Sequence, residues 1–352
     1  MKKTAPSEEE LKRITAIAAL YYDPKKPWKQ EAIASQYDIP QGKVSVYLKM
    51  AQEYGIIRTT VDAYYTRDLV TELKQKFDHI KEVIIRPTFM APKGGGDAAL
   101  LEMLGKACAD YFLDQVHHGA KLGVSCGVAV DAFVRALGHE AAQGKTMPVN
   151  CTLYSLVTLL VETMEGITPA SVVAYLTRWL PDVTGHAFHL PYDKSQGIDA
   201  YAENASLQRL KEALPSLDYY IFGIGYIPQQ HVRSRIGRPH QRVSYEFNAL
   251  IDRLQQTEVL QQLGAVGEAM YQPFNQQGEL LIDVPALTFL RERMIYHPLC
   301  ELQRQVDTDA SIIAIAGGPL KHEAVRAALK GRFFNILVTD SETIESALCP
   351  DA

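Results

Sequence analysis

No run of about 18 apolar residues occurs anywhere in the 352-residue chain, and the amino terminus (Met1-Lys2-Lys3-Thr4, then Glu8-Glu9-Glu10) lacks the apolar stretch of a secretory leader. A membrane-spanning helix and export are therefore not expected, and the chain reads as cytoplasmic. Cysteine is scarce and scattered. Cys108, Cys126, Cys151, Cys300 and Cys349 are odd in number and form no Cys-x-x-Cys, which excludes a disulfide framework and a thiolate zinc site. His186 and His189 lie three apart, but no third ligand stands at metal spacing, so neither a metal nor a cofactor is expected. Internal repeats and low-complexity segments are also missing.

What is present is a 47% hydrophobic composition in a chain longer than one typical domain, so two folded units with a large core are expected. Charge is divided unevenly. Residues 1–60 hold ten Lys/Arg against seven Asp/Glu, a surplus of three, and the net −5 of the whole leaves −8 for the remainder. A basic head on an acidic body suits a DNA-reading module joined to one that does not touch DNA.

The head reads as three helices, about Glu10–Tyr21, Lys29–Tyr37 and Gln41–Tyr54, broken by Asp23-Pro24, Pro27 and Asp38-Ile39-Pro40. Gly55 suits a left-handed cap, and Ile56 to Val61 alternates weakly like a strand, the expected wing. Val44, Tyr47, Leu48 and Ala51 share the inner face of the third helix. Gln41, Lys43, Ser45, Val46 and Lys49 are left outside, as a recognition helix requires: the first residues meet base edges and Lys49 meets phosphate. Gln30, opening the second helix, is placed to bond a phosphate. The plain alternative is a small bundle with lysines on its exposed face.

Leu69, Val70, Leu73 and Phe77 then form an apolar stripe on a connector helix that needs a partner. Beyond it, short β-branched runs (83–85, 122–124, 220–222, 312–315, 336–338) alternate with helical segments. That pattern predicts a parallel sheet covered on both faces, an α/β Rossmann-like domain. The expected organisation is an all-α winged helix-turn-helix over 1–61, a connector over 62–82 that oligomerises the chain, and an α/β effector domain over 83–352.

Gly123-Val124-Ser125-Cys126-Gly127 is a strand entering a glycine turn and then a helix, an arrangement whose N–H groups and helix terminus favour an anion, with Ser125 adding a hydroxyl. Gly317-Gly318-Pro319-Leu320-Lys321 repeats that logic, with Lys321 one turn into the helix. Glu268 is a candidate acceptor for ligand hydroxyls, or else a surface or capping carboxylate. Thr339 to Glu342 reads as a capping box on the last helix, and Asp340 is a candidate ligand contact. Tyr226, His231 and Arg233 could form a lid over Gly223-Ile224-Gly225. An ordinary strand-to-helix turn is the alternative for Gly123–Gly127, and Cys126 has no neighbouring His to make it a nucleophile.

Trp28-Lys29-Gln30-Glu31-Ala32-Ile33-Ala34, Val44-Ser45-Val46-Tyr47-Leu48 and Gly55-Ile56-Ile57 resemble the helix-turn-helix of the SorC family of sugar-responsive bacterial regulators. Gly123–Gly127, Gly223-Ile224-Gly225, Gly264-Ala265-Val266-Gly267-Glu268, Ile313–Lys321 and Asn335–Asp340 follow in the family's order. The resemblance implies an effector domain akin to phosphosugar isomerases and deaminases. It would bind a sugar phosphate or related anionic metabolite in a homo-oligomer, usually a tetramer, with double-stranded operator DNA as the other partner. Gly123, Ser125, Cys126, Gly127, Gly225, Glu268, Gly317, Gly318, Lys321 and Asp340 are the expected effector contacts. The chain departs from the family at Val46, at Val128-Ala129 and at Cys151–Tyr154. Two other readings stay open: a sugar-phosphate isomerase or deaminase-like enzyme with a DNA-binding head, and a scaffold that docks a protein on the connector stripe.

Overall fold

A computed structural model describes residues 7–23, 27–53, 56, 66–88, 96–161, 167–188, 190–191, 199, 201, 203–228 and 246–349. The chain divides into two compact units, Met1–Ala63 and Tyr64–Ala352.

The first unit is built from α1 (Glu8–Tyr21), α2 (Gln30–Tyr37) and α3 (Gln41–Glu53). Ser7 starts α1 by accepting the Glu10 N–H at 3.2 Å, which moves the helix start ahead of the expected Glu10. Asp38 ends α2 in the left-handed region (φ 48°), and Pro40 then leads into α3, so two helices meet across three residues. Ile14, Ile17, Ile33, Val44 and Ala51 form the dry centre of the bundle, with Tyr47 and Leu48 beside them. These are the spacings that periodicity assigned to the inner faces. Of the wing strand expected over Ile56–Val61 all but Ile56 lies outside the described residues, as does the Gly55 cap.

The second unit opens with α4 (Thr66–Lys76), β1 (Glu82–Arg86), α5 (Gly96–Gln115), β2 (Lys121–Val124), α6 (Val128–Ala142), β3 (Thr152–Ser155), β4 (Val157–Val161), α7 (Pro169–Leu176), β5 (Thr184–His186) and β6 (Leu190–Pro191). It continues with α8 (Ala205–Ala213), β7 (Tyr219–Tyr226), α9 (Glu246–Arg253), α10 (Thr257–Gln262), β8 (Ala265–Ala269), β9 (Gln272–Asn275) and α11 (Thr288–Arg291). It closes with β10 (Met294–Tyr296), α12 (Leu299–Gln305), β11 (Ser311–Ile315), α13 (His322–Lys330), β12 (Ile336–Asp340) and α14 (Ser341–Leu348).

Seven strands form a parallel sheet in the order β1-β12-β11-β7-β2-β3-β5. Its centre is continuous hydrophobe: Tyr220, Ile221 and Phe222 on β7, Ile312–Ile315 on β11 and Leu337 and Val338 on β12 are all fully buried. Strands sandwiched between helical layers have no wet face, which is why these runs do not alternate. Tyr220 keeps its ring inside because its hydroxyl donates to the Leu214 carbonyl at 2.7 Å. The upper end of β7 continues into an antiparallel β8–β9 hairpin, and β10, β4 and β6 make a separate small sheet.

The stripe on α4 does not stand in water. Leu73 and Phe77 are buried in the core of this same unit, and Leu69 and Val70 pack at its margin. The Lys76 ammonium donates to the carbonyls of Ala347 and Leu348 at 3.1 and 3.2 Å, closing the carboxyl end of α14 with a positive charge. The stripe, expected from the sequence to be covered by another copy of the chain, is covered by the core of its own α/β unit. Periodicity reveals that a face is apolar but not which surface covers it.

Candidate functional site: a cleft at the strand ends

Successive strands deliver their carboxyl ends to one place. After β2, the turn Ser125-Cys126-Gly127 leads into α6 with Val128 and Ala129, and these five residues form one wall of a narrow cleft of about 40 Å³. Gly127 lies at φ 117°, a conformation that any side chain would strain, and this frees the start of α6 to face the cleft. Gly223, Ile224 and Gly225 of β7 form the floor, and Lys321 closes the far side. In open α/β sheets this rim, where neighbouring strands send their chains to opposite faces, is the natural ligand position.

Glu268 enters from β8, directly opposite Gly225 in the antiparallel register. A Cβ at position 225 would lie 2.1 Å from Glu268 Oε1, so the glycine is what lets the carboxylate lie across β7. The other oxygen, Oε2, accepts the Tyr271 N–H at 2.9 Å. Burial pushes Glu268 up to about 7, against the Tyr271 N–H and the Lys321 charge, both of which lower it. Lys321, 4% exposed, is pulled by burial down to about 8, against the pull of Glu268 and of Asp97 at the start of α5. The cleft thus holds an ammonium and a carboxylate that sense each other inside a desolvated wall. Such a pair suits a ligand carrying both an anionic and a hydroxyl group.

Lys321 does not stand within the helix as the sequence suggested. Gly318 at φ 94° and Pro319 fold the segment into a single 3₁₀ turn over Pro319–Lys321, and α13 starts only at His322. The tighter turn directs the ammonium inward.

Four candidate contacts are placed behind the cleft wall. Gly123 is packed under Leu156 and Leu217, and Gly317 lies against Asp340 and Leu104. Asp340 is buried and fully engaged: Oδ2 accepts from the Gly318 N–H at 2.8 Å and from the Thr343 hydroxyl at 2.7 Å, while Oδ1 accepts from the Thr343 N–H at 3.0 Å. The helix cap is therefore Asp340, the last residue of β12, and not Thr339, which lies within that strand. Asp340 and Gly318 build the loop that holds Lys321. Ser125, Cys126, Gly127, Gly225, Glu268 and Lys321 do line the cleft.

Sequence reasoning missed Phe247, Met270 and Tyr271. Met270 and Tyr271 are the two turn residues of the β8–β9 hairpin, both at positive φ (50° and 62°). Such turns favour Asn-Gly, so neither residue advertised a hairpin, and each carries roughly 1–2 kcal/mol of backbone strain. The turn brings the Tyr271 hydroxyl to 3.3 Å from Cys126 Sγ and its ring edge-on to Phe247 at 6.0 Å. His189, His231 and Arg233 lie outside the described residues. His186 stacks on Tyr154 at 5.0 Å, away from the cleft.

In the first unit, Gln41, Lys43, Ser45, Val46 and Lys49 all lie on the exposed side of α3. The Ser45 hydroxyl donates to Gln30 Oε1 at 2.8 Å, tying the start of α2 to the middle of α3.

The chain comprises a small helical unit and an α/β unit with a charged cleft at its strand ends, and similarity to known proteins gives its class, a metabolite-modulated transcriptional regulator. Residues 62–348 match the family model described as "Putative sugar-binding domain", and the chain belongs to that family, the SorC-type sugar-binding transcriptional regulators. It is 25% identical to the transcriptional regulator LsrR of Enterobacter sp. (strain 638), over 98% of this chain and 94% of that one. It is 24% identical to the sorbitol operon regulator of Klebsiella pneumoniae, over 97% and 99% respectively. The deoxyribonucleoside regulator of Bacillus subtilis (strain 168) is 23% identical over 93% of this chain and 94% of its own. The crystal structure of full-length SorC from Klebsiella pneumoniae shares the fold, with a TM-score of 0.68 at 20% identity, covering 98% of this chain and all of that one. These relatives are named as transcriptional regulators, not as enzymes. No described helix is long and apolar enough to cross a membrane.

Proposed function

We propose that the chain is a one-component regulator acting in the cytoplasm, in which α1–α3 form a helix-turn-helix that grips operator DNA and the cleft binds a small anionic, sugar-derived effector. Gln30, Gln41, Lys43, Ser45, Val46 and Lys49 are the DNA contacts in this reading. Ser125, Cys126, Gly127, Gly225, Glu268 and Lys321 are the effector contacts, with Gly123, Gly317, Gly318 and Asp340 shaping the wall and loop behind them. The observation that carries it is the buried Lys321 ammonium facing Glu268 across a glycine floor at the start of α6. The cation and helix terminus favour phosphate or carboxylate, and the carboxylate favours hydroxyls. The names of two relatives, a sorbitol operon regulator and a deoxyribonucleoside regulator, support a sugar or sugar derivative. The chain works as a homo-oligomer, so that two heads bind one operator and the effector changes their fit, a coupling free energy between sites.

The test is a thermal-shift screen of the purified chain with phosphorylated sugars and sugar acids, followed by titration of the best ligand into Lys321→Met. A hundredfold excess over Kd stabilises by roughly 2.7 kcal/mol, well within reach of the assay. Lys321→Met should lose on the order of 1.5–3 kcal/mol of affinity, the usual worth of a charge-assisted hydrogen bond. A neutral ligand that binds best, or unchanged affinity in the variant, would refute the anionic assignment.

A further inference from the structure

We infer that Val46 is a specificity-determining residue that reads the 5-methyl group of a thymine in the major groove. The inference rests on the proposed DNA-binding role of α3 and says which base chemistry that helix selects. Val46 is 49% exposed, and among the described residues only Tyr22 and Tyr175 are other large hydrophobes so open to solvent. It lies in the middle of an otherwise polar face, next to Ser45 and one turn from Lys43 and Lys49. An apolar group there gains nothing from water, and the thymine methyl is the one apolar feature that base edges present in the major groove.

Two neighbours sharpen the assignment. Helix side chains lean toward the amino terminus, so Val46 leans over Gly42, and a Cβ at Gly42 would meet nothing within 4 Å. The approach to the valine is therefore open, and a base edge can come close. Beside it, Ser45 spends its hydroxyl proton on Gln30 Oε1, which leaves only lone pairs to offer. An acceptor can take the amino group of adenine or cytosine, but it gains nothing from thymine, whose edge carries an acceptor and a methyl. Selection of thymine therefore falls to Val46. Its branched Cβ keeps one rotamer in a helix, so little freedom is lost when the methyl docks.

Gln30 is by the same geometry a positioning residue that fixes the direction of Ser45.

The experiment uses the full chain. Binding sites are selected from random duplex DNA, and each thymine of the resulting consensus is then replaced in turn by uracil, which lacks only the methyl. In the wild-type protein one such replacement per half-site should weaken binding roughly fourfold, the effect of burying one methyl-sized group. In Val46→Ala that same replacement should have no effect, while Val46→Thr, which keeps a methyl, should retain part of it. Thermal melting of both variants should match the wild type because the side chain is exposed. If every uracil replacement is neutral in the wild type, or costs Val46→Ala as much as wild type, the assignment is overturned while DNA binding stands. If no sequence is selected at all, the DNA-binding reading fails and the assignment with it.

Discussion

Glu268 and Lys321 make the cleft sensitive to pH in a calculable direction. Lys321 is charged below about 8 and Glu268 is neutral below about 7, so the cleft is most positive in mildly acidic solution. As pH rises, Glu268 gains a negative charge and Lys321 loses its positive one. Both changes oppose an anion. Affinity for a phosphorylated ligand, already mostly dianionic above about pH 6, is expected to fall between pH 6.5 and 8.5 when followed by isothermal titration. Affinity that rises over that range would mean another cation holds the anion. The floor is as exacting. Gly225→Ala would drive a methyl into the Glu268 carboxylate and, through it, the Tyr271 turn. A cost of about 1–3 kcal/mol in chemical unfolding is expected, together with loss of ligand binding.

At the level of elements, α14 joins two regions of the effector domain. Its cap Asp340 holds the Gly318 N–H of the loop preceding Lys321, and its carboxyl end receives Lys76 from α4. Asp340→Ala would leave the Thr343 N–H uncapped and the Thr343 hydroxyl without its acceptor, and would reduce the buried Gly318 N–H to its 3.1 Å bond to the Thr343 hydroxyl oxygen. We expect a loss on the order of 2–4 kcal/mol in unfolding free energy, larger than an ordinary capping substitution. Lys76→Met removes charged bonds at an exposed helix end and should cost under about 1 kcal/mol by the same measurement. Equal costs for the two would mean that Asp340 serves only as a cap. The order of strands and helices was legible in the alternation of apolar runs with longer amphipathic segments. The β8–β9 hairpin was not, because Met270-Tyr271 carries none of the glycine or asparagine that signals a tight hairpin.

For the whole molecule, stability should depend on acid through two histidines held neutral. Burial lowers His79 to about 4, helped by Arg332, and lowers His297, stacked on Tyr220 at 5.3 Å, also to about 4. Between the ordinary 6.5 and the folded value, the unfolded chain binds more protons than the native one. Stability is therefore fully present above pH 6.5 and is lost as pH falls toward 4, on the order of 2 kcal/mol for each histidine. Denaturant midpoints at pH 7.5 and 5 should show the loss. His297→Phe, which keeps the stacked ring, should remove about half of it. A midpoint unchanged between the two values would show that both side chains reach water in the native state.

The sequence by itself determined the class of the molecule. Apolar residues at helical spacing in the head, unbroken β-branched runs in the body and glycine turns after strands each follow from local geometry, and local geometry is written in residue order. Gly127, Gly225 and Lys321 could be singled out for the same reason: a backbone conformation or a charge at a strand end is a local property. What only the tertiary structure decided is which groups meet. Glu268 faces Gly225 because of an antiparallel register. Asp340 turns away from the cleft because Gly318 and Thr343 consume its oxygens. The α4 stripe finds its cover in its own domain. Register, hydrogen-bond competition and burial depend on residues tens to hundreds of positions apart, and their energies exist only once the chain has closed on itself.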